Sequence, residues 1–312
     1  MADDSTLGFI GLGVMGEPIC RNLARKSGRM VRAHDRDPAR PARLAAHGVA
    51  AVDSAGELAA QAGIVFLCLP SGSHVESLCD GPAGLVARAR PGQVFVDLGT
   101  SPVRLARRLA GDFAARGAAF ADAPIARTRE AAQQGTLSVM VGADPAVYER
   151  LLPLIETFAS DVTHCGPAGA GQALKILNNM VLTQTVNALA EALAMGRRLG
   201  IAPALLFDTL AKGSADSFAL RNHGMKAMLP GTYPEQAFST EYMQKDIRYA
   251  LELARDTGVA APGAQLGADV LQQAIDAGFG AQYWPVIARV VDRAGDEVSG
   301  TRGAGPTATR GV

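Results

Sequence analysis

The stretch Leu7-Gly8-Phe9-Ile10-Gly11-Leu12-Gly13-Val14-Met15-Gly16 decides the fold of this chain. A short apolar run turns on glycines and hands over to Pro18-Ile19-Cys20-Arg21-Asn22-Leu23-Ala24, which reads as a helix. Gly11, Gly13 and Gly16 fit Gly-x-Gly-x-x-Gly at that junction. Gly11 allows a tight turn, Gly13 lets backbone approach a pyrophosphate, and Gly16 lets helix and strand pack closely. The free N–H groups at the helix start then face the phosphates, aided by the helix dipole, and Leu12, Val14 and Met15 fall in the same cofactor-binding turn. A second apolar stretch, Met30 to His34, ends in Asp35, 19 residues past Gly16. That is the interval at which an acid accepts the ribose hydroxyls of a bound dinucleotide. A plain β–turn–α unit without ligand is the competing reading. Strand, helix and acid in register favour the dinucleotide.

Outward from this turn, the first half alternates strand and helix. Pro38 to His47 reads as a helix and Val49 to Val52 as a strand, and Ser54 with Glu57 forms a capping box. Ile64 to Leu69 and Gln93 to Leu98 are continuous apolar runs, as strands buried on both faces require. A helix is predicted over Val103–Arg116, with strands at Ala118–Asp122 and Leu137–Val141. Such alternation predicts a doubly wound parallel sheet with helices on both faces, a Rossmann-like α/β domain over residues 1–165. Ligands lie beyond the carboxyl ends of such strands, which directs attention to Pro70, Thr100 and the segment after Asp122. From Gly171 the pattern becomes helical and rich in alanine and leucine, with no glycine before Gly196. An all-helical domain is expected over residues 166–297, joined to the first by a long helix. The Gly-, Thr- and Pro-rich end, residues 298–312, reads as a disordered tail.

The 312 residues carry 30 Lys plus Arg against 30 Asp plus Glu, so no net charge argues for nucleic acid or an anionic membrane as partner. Four cysteines without a C-x-x-C pair and five scattered histidines indicate neither a disulfide framework nor a metal site. No basic segment followed by a long apolar one opens the chain, and no apolar run is long enough to span a bilayer, so a cytoplasmic protein is expected. The long apolar helices of the second half suggest a homodimer or homotetramer.

Candidate chemistry sits where the long helix begins. Lys175 and Asn179 lie four apart, hence on one helix face. A lysine among Ile, Leu, Val and Met is either a rim residue or a desolvated acid/base, since burial lowers an amine's pKa toward the range of proton transfer. Spacing alone leaves both open.

Several motifs occur in one order: the glycine turn, Asp122-Ala123-Pro124, Gly135-Thr136-Leu137 with Met140-Val141-Gly142, Gly171-x-x-x-Lys175-x-x-Asn178-Asn179, and Lys245-Asp246. In this the chain resembles the β-hydroxyacid dehydrogenases over roughly residues 7–290. That family includes dehydrogenases of 3-hydroxyisobutyrate and reductases of tartronate semialdehyde. The resemblance implies oxidation or reduction of a small anionic hydroxy acid or semialdehyde in a cleft between the domains, without metal. It implies Lys175 as catalytic acid/base, with Asn178 and Asn179 as substrate partners. Lys245 would lie near the nicotinamide, Asp246 would support that segment, and Leu69, Pro70 and Thr100 would contact the cofactor. One departure stands out. Where most members carry Ser-Gly-Gly in a substrate-binding loop, this chain has Ala126-Arg127-Thr128, similar to the Gly-Arg-Thr loop of sulfolactaldehyde reductases. Gly280-Ala281-Gln282-Tyr283-Trp284 is likewise similar to a Gly-Arg-Gln-Asp-Trp stretch there. Arg127 is expected either to clamp a carboxylate or sulfonate or to face solvent and pair with Glu130. Asp35 favours NAD, whereas Arg36 beside it could stack on adenine or hold the extra phosphate of NADP. The loop at Thr100 is one residue shorter than the family's usual one. Imine reduction on the same architecture and a non-catalytic binding module are the competing functions, and the retained Lys175 argues against both.

Overall fold

A computed structural model describes residues 5–235 and 237–292. The tail expected over residues 298–312 lies outside the described residues. The chain divides into two units, one ending at Leu177 and one beginning at Asn178.

In the first unit, β1 (Thr6–Ile10) and α1 (Gly16–Lys26) flank the glycine turn. The alternation continues through β2 (Met30–His34), α2 (Ala39–Leu44), β3 (Val49–Ala51), α3 (Ala55–Gln61), β4 (Ile64–Leu67) and α4 (Gly72–Cys79). It ends with α5 (Leu85–Arg88), β5 (Val94–Asp97), α6 (Val103–Ala114) and β6 (Ala119–Asp122). Local signals explain several boundaries. The Ser54 side chain accepts the N–H of Glu57 at 3.1 Å and so starts α3, the expected half of the capping box. β4 and β5 are buried at every position, which is why they read as unbroken apolar runs.

Six strands pair in parallel in the order β3-β2-β1-β4-β5-β6. The strand order reverses between β1 and β4, so the carboxyl ends of those two strands open the crevice where ligands bind in such sheets. Two apolar cores cover the two faces. One joins α1 to β1 and β4 through Ile19, Leu23, Phe9 and Phe66. The other packs Phe113 of α6 on Phe95 and Phe120 at centroid distances of 4.3 and 5.8 Å.

The all-parallel expectation fails at one edge. After β7 (Ile125–Ala126) and the short α7 (Arg129–Gln134), β8 (Leu137–Gly142) returns antiparallel to β6 and β7. The chain between carries under two helical turns and folds back instead of crossing a face of the sheet. α8 (Pro145–Ile155) then leads to β9 (Ala159–Gly166), which pairs in parallel with β8. β9 has no signature in the sequence, because an edge strand reading Ala-Ser-Asp-Val-Thr-His-Cys-Gly is half exposed and lacks an apolar run.

α9 (Ala170–Arg198) runs unbroken through the unit boundary at Leu177. The second unit is helical, with α10 (Pro203–Leu210), a π-wound segment over Leu220–Met228, α11 (Thr240–Thr257) and α12 (Pro262–Ala274). Its core gathers Val186, Leu189, Phe207, Ile247, Leu271 and Trp284. The stretch from Gly280 to Trp284 finds a structural use here. The carbonyls of Gly280 and Gln282 accept the N–H groups of Glu241 and Thr240, satisfying the start of α11. Trp284 is 1% exposed, and the Tyr283 hydroxyl meets His223 Nδ1 at 2.6 Å. No helix of the described residues is long and apolar enough to cross a membrane.

Candidate active site

The glycine turn shows three separate constraints. Gly11 has φ +95°, a conformation that disfavours side chains, and a Cβ there would strike the Cys68 carbonyl oxygen. A Cβ on Gly16 would run into the carbonyl oxygen of Gly11. Gly13 differs, since a Cβ there would meet only Arg40 Nη1, at 3.8 Å. Packing inside the protein therefore accounts for Gly11 and Gly16 but not for Gly13. The open space above Gly13 is where a dinucleotide's pyrophosphate fits, so the residues present suit the cofactor.

Asp35, at the end of β2, faces this turn. Its Oδ2 accepts the Leu12 N–H at 2.7 Å and its Oδ1 accepts the Asp37 N–H at 3.0 Å. Arg36 is exposed. The nearer cation is Arg40 on α2, with Nη1 3.6 Å from Asp35 Oδ2. No spacing rule in the sequence singles out Arg40; only the fold of α2 against the turn brings it there. A pocket of about 230 Å³ opens against Leu12, Gly13 and Val14, with Arg21, Arg40, Arg43 and Arg129 in its walls. Glu17 lies in the same wall and pairs with Arg43 at 2.8 Å. The positive excess suits a phosphate-bearing ligand. Leu69 is half-buried and its side chain borders Gly11, Pro70 is exposed, and Thr100 is half-buried beyond β5.

The first turn of α9 is tied to the strand ends by two buried carboxylates. Asp122, closing β6, accepts the N–H groups of Gly169 (2.5 Å) and Gln172 (2.7 Å). Burial pushes its carboxyl up to about 6, against the pull of these main-chain donors. Asp97, closing β5, accepts the Gly99 N–H (2.9 Å) and the Ser101 hydroxyl (2.7 Å). Gln172 completes the clasp, donating to the Gly99 carbonyl at 2.8 Å and accepting the Ser101 N–H at 2.9 Å. The loop carrying Thr100 is thus fastened to the helix carrying Lys175. Sequence spacing gave no hint of Gln172.

Gln172, Lys175, Asn179 and Thr183 follow at helical intervals and form a buried polar stripe on α9. Lys175 is 9% exposed, so it is no rim residue. In the second unit, Asn179 Nδ2 donates to Asp246 Oδ2 at 2.7 Å, and Lys245 Nζ lies 3.0 Å from Asp246 Oδ1. Lys245 also lies over the rings of Tyr242 and Tyr249, at 5.0 and 5.2 Å. Asn178 is exposed and donates to Asn179 Oδ1 at 3.1 Å. Asn179 and Lys245 thus share the Asp246 carboxylate within one unit, a link that no spacing in the sequence announced.

The substrate-loop candidates run from the last residue of β7 to the cap of α7. Thr128 caps α7, its hydroxyl oxygen accepting the Ala131 N–H at 3.3 Å. Ala126 pairs with Ser138 of β8. Arg127 does not pair with Glu130, which instead meets Gln134. Its guanidinium turns to Asp161, 2.7 Å away. Among the described residues no cluster of three or more His, Cys, Asp or Glu could hold a metal ion, and the four cysteines are free.

Residues 6–166 match the family model described as the NAD binding domain of 6-phosphogluconate dehydrogenase. Residues 169–289 match that of the NAD-binding region of NADP-dependent 3-hydroxyisobutyrate dehydrogenase. The chain belongs to the β-hydroxyacid dehydrogenase family. This family member is 32% identical over 295 residues to the 2-(hydroxymethyl)glutarate dehydrogenase of Eubacterium barkeri, covering 94% of this chain and 97% of that one. It is 35% identical over 274 residues to a probable 3-hydroxyisobutyrate dehydrogenase of Mycobacterium tuberculosis, covering 85% and 91%. A solved structure of Mycobacterium tuberculosis 3-hydroxyisobutyrate dehydrogenase with L-serine superposes with a TM-score of 0.83 at 33% identity, covering 92% and 98%. An imine reductase of Myxococcus stipitatus, at 20% identity and a TM-score of 0.60, shares the fold alone. The family member is accordingly an NAD(P)-dependent oxidoreductase of hydroxy acids.

Proposed function

We propose that this enzyme interconverts a small 3-hydroxy acid and its semialdehyde, with Lys175 as the acid/base. One observation carries the reading: a lysine nine-tenths buried on the polar stripe of α9, one helical turn from Asn179. When bound, the nicotinamide accepts or supplies the hydride at the carbinol carbon. The neutral Lys175 amine takes the hydroxyl proton in oxidation, and its ammonium returns that proton in reduction. The same ammonium steadies the negative charge that develops on the carbonyl oxygen during reduction. Asn179, fixed by Asp246, orients the substrate oxygen, and Lys245, oriented by the same carboxylate, would help to hold the nicotinamide when it is bound. Ala126, Arg127 and Thr128 form the loop that seats the substrate's anionic group.

The Arg127–Asp161 pair supports a carboxylate over a sulfonate, because the cation that would select the bulkier oxyanion already has a counterion. Asp35 facing the turn supports NAD over NADP, since a carboxylate repels a 2′-phosphate. A cytoplasmic homo-oligomer, dimer or tetramer, with no nucleic-acid or membrane partner, fits the neutral charge balance and the apolar surface of α9. The domain limits proposed are residues 1–165 and 166–297.

Turnover tests the acid/base assignment. Lys175→Ala should lower kcat by about 10²- to 10⁴-fold while NAD affinity stays near wild type. Unchanged kcat would remove Lys175 from the chemistry. A panel of 3-hydroxy acids, semialdehydes, a sulfonate and a cyclic imine, read at nicotinamide absorbance, assigns the substrate class. Turnover of the imine alone would overturn the hydroxy-acid reading.

A further inference from the structure

Arg127 has φ +85°, the left-handed region, and is the one non-glycine residue with positive φ among those described. A side chain in that conformation crowds its own backbone, so something must hold it there. Three contacts do. Arg127 Nη1 donates to the Thr136 carbonyl at 2.7 Å and to Ser160 Oγ at 2.8 Å, and Nη2 meets Asp161 Oδ2 at 2.7 Å. Ser160 Oγ in turn donates to Asp161 Oδ2 at 2.7 Å. The guanidinium is thereby committed to β9 and to the residue before β8, on the edge of the sheet. Its charge is also matched by a carboxylate in direct contact, which weakens its pull on any second anion.

We propose that Arg127 is a positioning residue: its anchorage to Asp161, Ser160 and the Thr136 carbonyl holds the substrate loop in a left-handed turn, and the loop's main chain with the Thr128 hydroxyl, not the guanidinium, receives the substrate's anionic group. This rests on the substrate-loop reading above. The strut lets an arginine stand in a conformation that a glycine adopts unaided. Thr128 Oγ1 accepts from Ala131, which leaves its proton to donate to the ligand.

Steady-state kinetics on the full chain with a carboxylate 3-hydroxy acid separates strut from clamp. Arg127→Ala removes the strut but keeps the backbone penalty, so KM should rise roughly tenfold with kcat little changed, as the competent loop becomes a minor conformer. Arg127→Gly should recover most of that loss, because glycine needs no strut. Asp161→Asn should raise KM in the same direction as Arg127→Ala, and adding it to Arg127→Gly should change nothing further. Equal KM losses for the Gly and Ala variants, with Asp161→Asn unaffected or tighter, would make Arg127 an anion clamp and overturn the proposal. No KM change in any variant would overturn it as well. Thermal midpoints check that each variant folds. Failure of the wild type to turn over any hydroxy acid would end the substrate reading itself, which is a different result from a wrong KM pattern.

Discussion

At the level of single residues, the three glycines of the turn are not equivalent, and their differences are measurable. Gly13 lacks positive φ and its missing Cβ faces open space. Gly13→Ala should therefore leave the unfolding free energy within about 0.5 kcal/mol of wild type while raising the KM for the dinucleotide. Gly16→Ala should lose about 1–3 kcal/mol of stability, because its Cβ meets the Gly11 carbonyl. Equal destabilisation by both would remove the case for a ligand above Gly13. The spacing of Gly11, Gly13, Gly16 and Asp35 was readable because chain geometry fixes those intervals. Arg40 and Gln172 were not, since each reaches its place only through tertiary packing. Arg127 was legible as unusual, yet its direction was not. The carboxylate that claims it lies 34 residues on, in a strand without an apolar signature.

Among the elements, α9 depends on a carboxylate with a displaced titration. The Asp122 carboxyl sits near 6 in the folded chain, raised chiefly by burial, against 3.8 as the ordinary value. Between these values the folded state holds a proton that the unfolded chain has released. Its contribution to stability is therefore full below about pH 4 and is lost as pH rises through about 6. Asp122→Asn cannot titrate, so the stability of wild type relative to this variant should grow as pH falls from 7 to about 4.5. Parallel unfolding curves at both pH values would refute the link. The parallel strands and α9 followed from apolar runs and composition. β7 escaped because it is only two residues long, and β9 because half of its residues face solvent and none form an apolar run. The start of α8 does carry a signal, Asp144 followed by Pro145 at the first helical position.

For the whole molecule, each unit owns its core, so neither borrows stability from an incomplete interior. Part of what α9 leaves uncovered is apolar. Leu174 (45% exposed), Leu177 (40%), Val181 (59%) and Met195 (59%) recur near one side of the helix. A surface of this kind supports subunit contact. Sedimentation velocity should return a dimer or larger species, and Val181→Asp with Leu177→Asp should shift it toward monomer. A wild-type monomer at micromolar concentration would count against assembly.

The unbroken winding of α9 has one more effect. Lys175 and Asn179 share a single run of main-chain hydrogen bonds. Their separation, about 6 Å along the axis, is thus a ruler cut into the backbone and not a negotiated fit of side chains. One extra residue between them would swing the amide by about 100° around the axis. In this stretch of the gene, an insertion is a graver event than almost any substitution.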